Sequence, residues 1–559
     1  MKEYFKRRGV EARRHRDGAL FIIHCSLFIA SGCAASPAPA PSGAFALTEI
    51  RIGHHTNRDT FTGVLPGDTV VLTFSEKVAT GSIAANIVLK QAGETKPVTV
   101  NHDQNPSLTI ILAGLQAFAH YELIINTGLQ SEAGAAIFTG KTFAITTGMD
   151  MTDKFPRITD EALLDLVQRQ TFRYFWDFGH PTSGMARERT TTLNTVTTGG
   201  TGFGIMAILV AAERQYISRT DALQRIQTIV TFLDTRCTAY HGVYAHWLNG
   251  DTGATIPFST NDNGGDLVET AFLMQGLLAA RRYFDGAAGA ETTLRSDITR
   301  LWEAVEWDWY RRDGQNVLYW HWSPDRGWAM NHRITGWNEA LMVYLLAASS
   351  PTHPVPKVVY DEGWARSGAF TNGNPFYGYT LPLGNAFGGP LFFTHYSFLG
   401  LDPRNLSDRY ANYFTQNRHH SLIHYHYCIE NPKGYGGYSA DCWGLTASDG
   451  NKGYSAHSPT NDRGVVAPTA ALSSMPYTPD ESMQALRFFY YKLGDKLWSE
   501  YGFYDAFNLS EGWFDNQHIA IDQGPIIVMI ENHRTALLWN LFMSDPDIQA
   551  GLRALEIEY

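Results

Sequence analysis

"STNDNGGDLVETAFLMQGLLAA", Ser259 to Ala280, is the stretch on which the reading of the chain turns. After Gly264-Gly265 it becomes a long apolar run whose length suits a helix rather than a strand. Asp262, Asp266 and Glu269 crowd its start. Part of this has a local explanation. Asp266 stands where an N-cap belongs and Glu269 follows three residues later, as in a capping box. Negative charge at a helix start is also favoured by the helix dipole. Asp262 lies outside the helix and is not needed for the cap. Residues 266 and 269, three apart, share one helix face.

Working outward, helical periodicity recurs from about Asp153 to the end. Apolar-periodic segments fall at 161–178, 203–216, 219–237, 266–284, 290–311, 337–348, 391–400, 408–426, 465–474, 479–494, 526–542 and 545–556. Twelve helices with no alternation of strands fit an all-α (α/α)6 toroid, six inner helices ringed by six outer ones. In that fold the inner helices run the same way, so their starts meet at one mouth. "ITGWNEALMVYLLAAS" then becomes informative, because Glu339 falls in the first turn expected for a second inner helix, beside Trp337 and Asn338, two candidates for substrate contact. Its bland account is a first-turn Glu placed by the dipole. Its chemical account is a carboxyl group facing Asp262, Asp266 and Glu269 across a cleft. Glycosidic bond cleavage needs one protonated carboxyl group and one ionised carboxylate on either side of a sugar. Crowding like charges is one way to keep the acid protonated.

Two long connections, "LNGDTGATIPFSTNDNGG" and "TNGNPFYGYTLPLGNAFGGP", exceed what linking helices requires, and loops of this length are usually functional. Trp247 adjoins the first; Phe376, Tyr379 and Phe387 lie in the second. Aromatic rings of this kind suit either a sugar-binding groove or packing onto the helices. Aromatic residues make up 13% of the chain, with 14 Trp and 27 Tyr, which is compatible with both. Asp522 in "DNQHIAIDQGP" is a further cleft candidate. So are Glu531 and Arg534 in "ENHRT", one turn apart, for which an intrahelical ion pair is the simpler account. The four histidines of "HHSLIHYHY" (His419, His420, His424, His426) do not match a metal-ligand spacing, and no cofactor or metal is expected. "GTGFG" at 200–204 follows no strand and is not read as a nucleotide loop.

Before the helices the period is two. Seven β-rich runs between residues 45 and 148 predict a small β-sandwich. "AASPAPAPSG" ahead of it, residues 34–44 with its flank, reads as an extended tether. Residues 1–33 combine a basic n-region, a short apolar stretch and "ASGC". This resembles a lipoprotein signal peptide with Cys33 as the lipidated residue, which places the protein in the periplasm or outer membrane of a Gram-negative bacterium. An ordinary signal peptide is the alternative. No other segment is long and apolar enough to span a bilayer, so membrane contact is expected through the anchor alone. The net charge of −11 excludes a nucleic-acid surface, which needs clustered cations. Cys237, Cys428 and Cys442 are no disulfide scaffold; Cys428 and Cys442 either pair or remain free thiols.

Several motifs together, "VTTGGTGFGIMAI", "GGDLVETAFLMQGLLAARRYF", "GWNEALMVYLLA", "GGPLFFTHYSFLGLDPR" and "IAIDQGPIIVMIENHRT" among them, resemble the glycoamylase-domain proteins of Bacteroidota, which include the β-1,2-glucanases of glycoside hydrolase family 144. The resemblance covers about residues 155–556, and the β-sandwich resembles bacterial Ig-like domains. It implies an (α/α)6 fold and inverting hydrolysis of β-1,2-glucan. It also implies a required acidic set met by Asp262, Asp266 and Glu269 with Glu339. An oligo- or polysaccharide is then the partner and a monomer the expected state. An α-glucan hydrolase keeps the fold and changes the substrate. An epimerase or lyase would draw on His332 or a Tyr, and a non-catalytic glycan-binding lipoprotein is the third alternative.

Overall fold

The computed structural model describes residues 43–559 apart from 54, 66, 103–105, 113, 114 and 288. The expected signal peptide, its Cys33 and residues 34–42 of the expected tether lie outside the described residues. Two compact units divide between Thr152 and Asp153.

The first unit is a β-sheet domain. All seven expected strands are present: β1 (Leu47–Ile52), β4 (Thr69–Phe74), β5 (Ile87–Gln91), β7 (Thr99–His102), β8 (Ser107–Ile111), β9 (His120–Ile125) and β10 (Lys141–Thr147). The short β2 (His55–Thr56), β3 (Thr60–Val64) and β6 (Glu94–Lys96) carry too little alternation to stand out in sequence. They complete two five-stranded sheets, β2-β1-β4-β8-β7 and β3-β10-β9-β5-β6. Both sheets turn every second residue into one shared core, with Ile50, Ile52, Val70 and Leu72 from one and Leu89, Leu123, Phe143 and Ile145 from the other.

The second unit is helical, and its helices alternate along the chain between two kinds. One kind is buried on one face: α1 (Asp160–Trp176), α3 (Arg219–Arg236), α5 (Gly289–Glu303), α7 (Tyr413–Glu430) and α9 (Pro479–Tyr491). The other is buried nearly all round: α2 (Thr198–Glu213), α4 (Leu267–Tyr283), α6 (Leu341–Ser349), α8 (Pro468–Leu472) and α10 (Ala520–Thr535). A helix without a polar face has to lie inside. The terminal α11 (Leu537–Met543) and α12 (Pro546–Ala554) close the chain. Among the described residues no helix is long and apolar enough to cross a membrane.

Four expected helices differ. Residues 391–400 form two buried 3₁₀ turns, Leu391–Thr394 and Tyr396–Phe398. The 290–311 segment ends at Glu303 and resumes as a 3₁₀ turn at Trp309–Arg311. The 526–542 segment starts earlier and breaks at Ala536, whose φ of 59° is left-handed. The helix expected at 337–348 begins only at Leu341, so Glu339 lies in the turn before it. There the Asn338 Oδ1 accepts the Ala340 N–H at 2.9 Å, and the Ser397 hydroxyl donates to the Glu339 carbonyl, holding the turn out of the helix.

Glycines let α2 and α4 cross at close range. A Cβ on Gly202 of α2 would lie 2.1 Å from the Phe272 carbonyl oxygen, and one on Gly276 of α4 2.2 Å from the Gly202 carbonyl oxygen. The "GTGFG" run is therefore a helix contact surface. Gly202→Ala is expected to destabilise the helical unit by about 3 kcal/mol, since backbone rather than a flexible side chain must give way. Calorimetry should show the helical transition falling while that of the Ig-like unit stays in place; an unshifted helical transition would contradict the crossing.

Candidate active site

The N-terminal ends of α4, α6 and α10 reach one pocket, part of it open to solvent. Val268, Glu269 and Phe272 come from the start of α4, Glu339 from the turn before α6, and Ile521 from the first turn of α10. Trp320, Phe392, Tyr396, Ala447 and Tyr454 complete the lining. Two carboxyl groups seventy residues apart in the chain thus share one apolar, aromatic-walled space.

Each acid of the opening stretch has its own support. Asp266 is fully buried, and its Oδ1 accepts the N–H groups of Val268 (3.0 Å) and Glu269 (2.9 Å), the cap expected from sequence. Its Oδ2 accepts from His246 Nδ1 at 3.0 Å. Glu269 directs Oε2 at the Gly199 N–H (2.9 Å) and the Thr197 hydroxyl (3.4 Å), at the start of α2. A helix N-terminus of this kind favours an anion. Its Oε1 lies 3.6 Å from His246 Nε2. Asp262 is buried in the tight turn Ser259–Asp262, with Oδ1 3.5 Å from His321 Nε2. That nitrogen also accepts the Gly264 N–H at 2.9 Å, and burial pushes the His321 imidazole down to about 4. Asp262 and Asp266 support the pocket without lining it.

The remaining candidates separate. Asp522 is buried behind the pocket wall, where its Oδ1 accepts from the Tyr396 hydroxyl at 3.2 Å. Trp247 packs 4.8 Å from Phe258, which in turn stacks on His246 at 4.4 Å. Trp337 is a correction: only 5% exposed, it packs against Phe398 and Tyr413 as part of the core and is not among the residues lining this pocket. Asn338 is spent on its own turn. Phe376, Tyr379 and Phe387 gather against α7, Phe387 on Phe376 and Tyr427, Tyr379 on His419 and His426, a packing role away from the pocket lining. Glu531 and Arg534 are a second correction. They sit near the C-terminal end of α10, not at its start, and the expected intrahelical pair does not form. Glu531 instead accepts from Arg214 Nε at 2.6 Å and from Gln168 at 3.0 Å, while Arg534 donates to Gln168 at 2.5 Å. His332 stacks on Trp320 at 5.0 Å, outside the lining. His420 and His424 both direct Nε2 to the Gly389 carbonyl, at 2.9 and 2.8 Å. Cys237, Cys428 and Cys442 are free thiols.

Sequence reading missed several residues. His246 carries no motif of its own and was passed over for its neighbour Trp247. Trp320 and Tyr396 lie in "LYWHW" and "THYSF", aromatic runs without helical period that merited notice. A second acidic group was also missed. Asp449, Asp505 and Asp515 bring carboxylate oxygens within 4.8 Å of one another, from three separate loops. Arg189 Nη1 pairs with Asp449 at 2.8 Å. Burial, then repulsion from Asp522, Asp449 and Asp515, raises the Asp505 carboxyl well above the carboxylate range.

Asp515 gives a test of that group. Burial, with Asp449 adding repulsion, pushes its carboxyl up to about 7. The folded chain then keeps a proton that the unfolded chain releases near 3.9, so Asp515 lowers stability progressively from about pH 4 to about pH 7 and by a constant amount above. Asp515→Asn retains an oxygen for the Asn516 and Gln517 N–H groups. Its gain in Tm should be small at about pH 4, grow to about pH 7 and then level off. A gain that does not vary with pH would show that Asp515 is not titrating.

Comparison with known proteins places this geometry. A family model described as "Putative glucoamylase" matches residues 331–546, and one described as "Bacterial Ig-like domain" matches residues 48–147. The chain is 48% identical over 421 residues to an exo β-1,2-glucooligosaccharide sophorohydrolase (non-reducing end) of Parabacteroides distasonis, a match covering 71% of this chain and 58% of that protein. It is similar to the endo-β-1,2-glucanase of Chitinophaga pinensis, solved with sophorotriose and glucose, at 52% identity and a TM-score of 0.71 over 72% of this chain and 99% of the other. It is also similar to a β-1,2-glucanase structure from Parabacteroides distasonis at 40% identity and a TM-score of 0.70, over 93% of this chain and 74% of that one.

Proposed function

The chain belongs to the glycoamylase-domain family, and from that premise we propose that it is an inverting glycoside hydrolase acting on β-1,2-linked glucan. One observation carries the reading: Glu269 and Glu339 line the same aromatic-walled pocket. Glu339 is the general acid and protonates the leaving glycosidic oxygen. It lines the pocket together with Trp320, Phe392, Tyr396 and Tyr454. Glu269, held by the Gly199 N–H at a helix start, is the ionised partner that orients or deprotonates the attacking water. Asp266 and Asp262 act behind them: Asp266 fixes the start of α4, and Asp262 its approach. The alternation of enclosed and half-buried helices supports a closed (α/α)6 toroid in which these helix starts share one mouth. The names of the relatives, a sophorohydrolase and β-1,2-glucanases, support the substrate.

Incubation of the full chain with linear β-1,2-glucan, starch and laminarin, followed by reducing-end assay, tests the proposal. Release from β-1,2-glucan is expected; release from starch alone would defeat it. Glu339→Gln should lower kcat by about 10²- to 10⁴-fold, the scale of a lost general acid, with little change in Tm. Retained turnover would remove Glu339 from the acid role.

The N-terminal sequence supports a second proposal, a lipoprotein of the periplasm or outer membrane attached through Cys33. Radiolabelled palmitate should enter the chain in a Gram-negative host and fail to enter Cys33→Ala; equal labelling of both would refute the anchor.

A further inference from the structure

The residue that joins the two halves of the acidic cluster is a histidine. His246 is 2% exposed, and its ring lies between two carboxyl groups. Nδ1 donates to Asp266 Oδ2 at 3.0 Å, and Nε2 faces Glu269 Oε1 at 3.6 Å. Its ring is stacked on Phe258 at 4.4 Å and set edge-on to Trp247 at 5.7 Å. Its backbone is fixed as well, since the His246 carbonyl accepts the Thr198 N–H at 3.1 Å, the first residue of α2. The imidazole therefore cannot swing away from either acid without disturbing the starts of both helices.

We propose that His246 is held as an imidazolium between Asp266 and Glu269, and that this cation is the positioning residue that keeps Glu269 ionised and oriented. The inference rests on the roles given above to Glu269 and Glu339. Both neighbouring carboxyl groups accept hydrogen bonds that do not involve His246. Asp266 takes two backbone N–H groups on Oδ1, and Glu269 takes the Gly199 N–H on Oε2. With Asp266 anionic, Nδ1 carries a proton. With Glu269 anionic, an Nε2 lone pair would face a negative oxygen, and a proton on Nε2 turns that repulsion into an ion pair. A ring set between two carboxylates gains from the charged form on both sides, and this acts against the desolvation that burial imposes. His321, which also bears on this cluster, lies beside Asp262 and is kept neutral by burial, so it adds no competing cation. Phe258 and Trp247 supply apolar faces only.

The consequence is an asymmetry across the pocket. Glu269 has the cation at its back and Glu339 lies elsewhere on the pocket lining, so the cation favours the ionised form at Glu269 rather than at Glu339. That is the division of labour an inverting pair requires.

Nitrogen-15 labelled histidine in the full chain reads the proposal directly. The His246 signals, assigned by their loss in His246→Asn, should show both ring nitrogens protonated at pH 7 and titrate above the ordinary imidazole value of about 6.5. Glu269→Gln should lower that midpoint. A neutral His246 ring at pH 7 overturns the proposal whether or not the enzyme acts on β-1,2-glucan, and inactivity on that glucan leaves the titration readable. In turnover, His246→Gln should move the acid limb of the kcat profile up by about one pH unit or more, with KM changed less than kcat. A loss of activity with an unmoved limb would mean that His246 only supports the fold, and would also overturn it.

Discussion

The site depends on a backbone contact more than on any side chain. Gly202 and Gly276 let α2 and α4 approach until main-chain atoms touch, and this brings the Gly199 N–H of α2 onto the Glu269 carboxylate. Gly199 belongs to the same arrangement: a Cβ there would lie 2.5 Å from Glu269 Oε2. Only glycine leaves room for an acid to reach the helix start. Larger residues along this seam would separate the helices, and Glu269 would be left as a buried charge without its donors.

Burying so many acids has a physical cost that the surroundings offset in two different ways. In the cluster around Glu269, backbone donors at helix starts and one imidazole hold the anions. In the cluster of Asp449, Asp505 and Asp515, Arg189 serves one member, and Asp505 and Asp515 are pushed toward the neutral form instead. Asp522 links this second group to the pocket through the Tyr396 hydroxyl. The pocket wall therefore rests near a carboxyl group, Asp515, that is pushed up to about 7, whereas Glu269 is supported by the fixed dipole of a helix start.

What sequence reveals here follows from how local each interaction is. The Asp266 cap was legible because its partners are two and three residues away. The strands of the Ig-like unit and most helices were legible because periodicity is a local property. Glu339 was read in a first turn and lies one turn earlier, because Ser397, far along the chain, holds its carbonyl. Trp337 looked like a sugar platform beside a catalytic acid, but Gly384 and Tyr413 enclose it in the core. The contact of Gly199 with Glu269 spans seventy residues, and that of His246 with Asp266 twenty. Neither has a spacing rule that a single sequence displays. The aromatic run 318–322 was visible, but its meaning depends on the pairing of His321–Trp322 with Gly265–Asp266, a two-residue ladder below the length that alternation detects.

Helix α2 shows how one element connects the pocket to the rest of the fold. Its sixteen residues include a single charge, Glu213, and its body is wholly apolar or small. Both ends are nonetheless electrostatically satisfied by other helices. Glu269 of α4 sits at its positive end, and Arg214 follows its negative end, clamped by Glu531 of α10. The two sites lie about 22 Å apart along the axis, so they do not interact directly. They act on the same rigid body, however. The Arg214–Glu531 pair, with Glu531 1% exposed, fixes α2 against α10 at the far end, and the glycine seam fixes it against α4. A helix held at both points cannot slide along its axis, and sliding is the motion that would withdraw the Gly199 N–H from Glu269. Glu531 thus bears on Glu269 through the alignment of the helix that holds it.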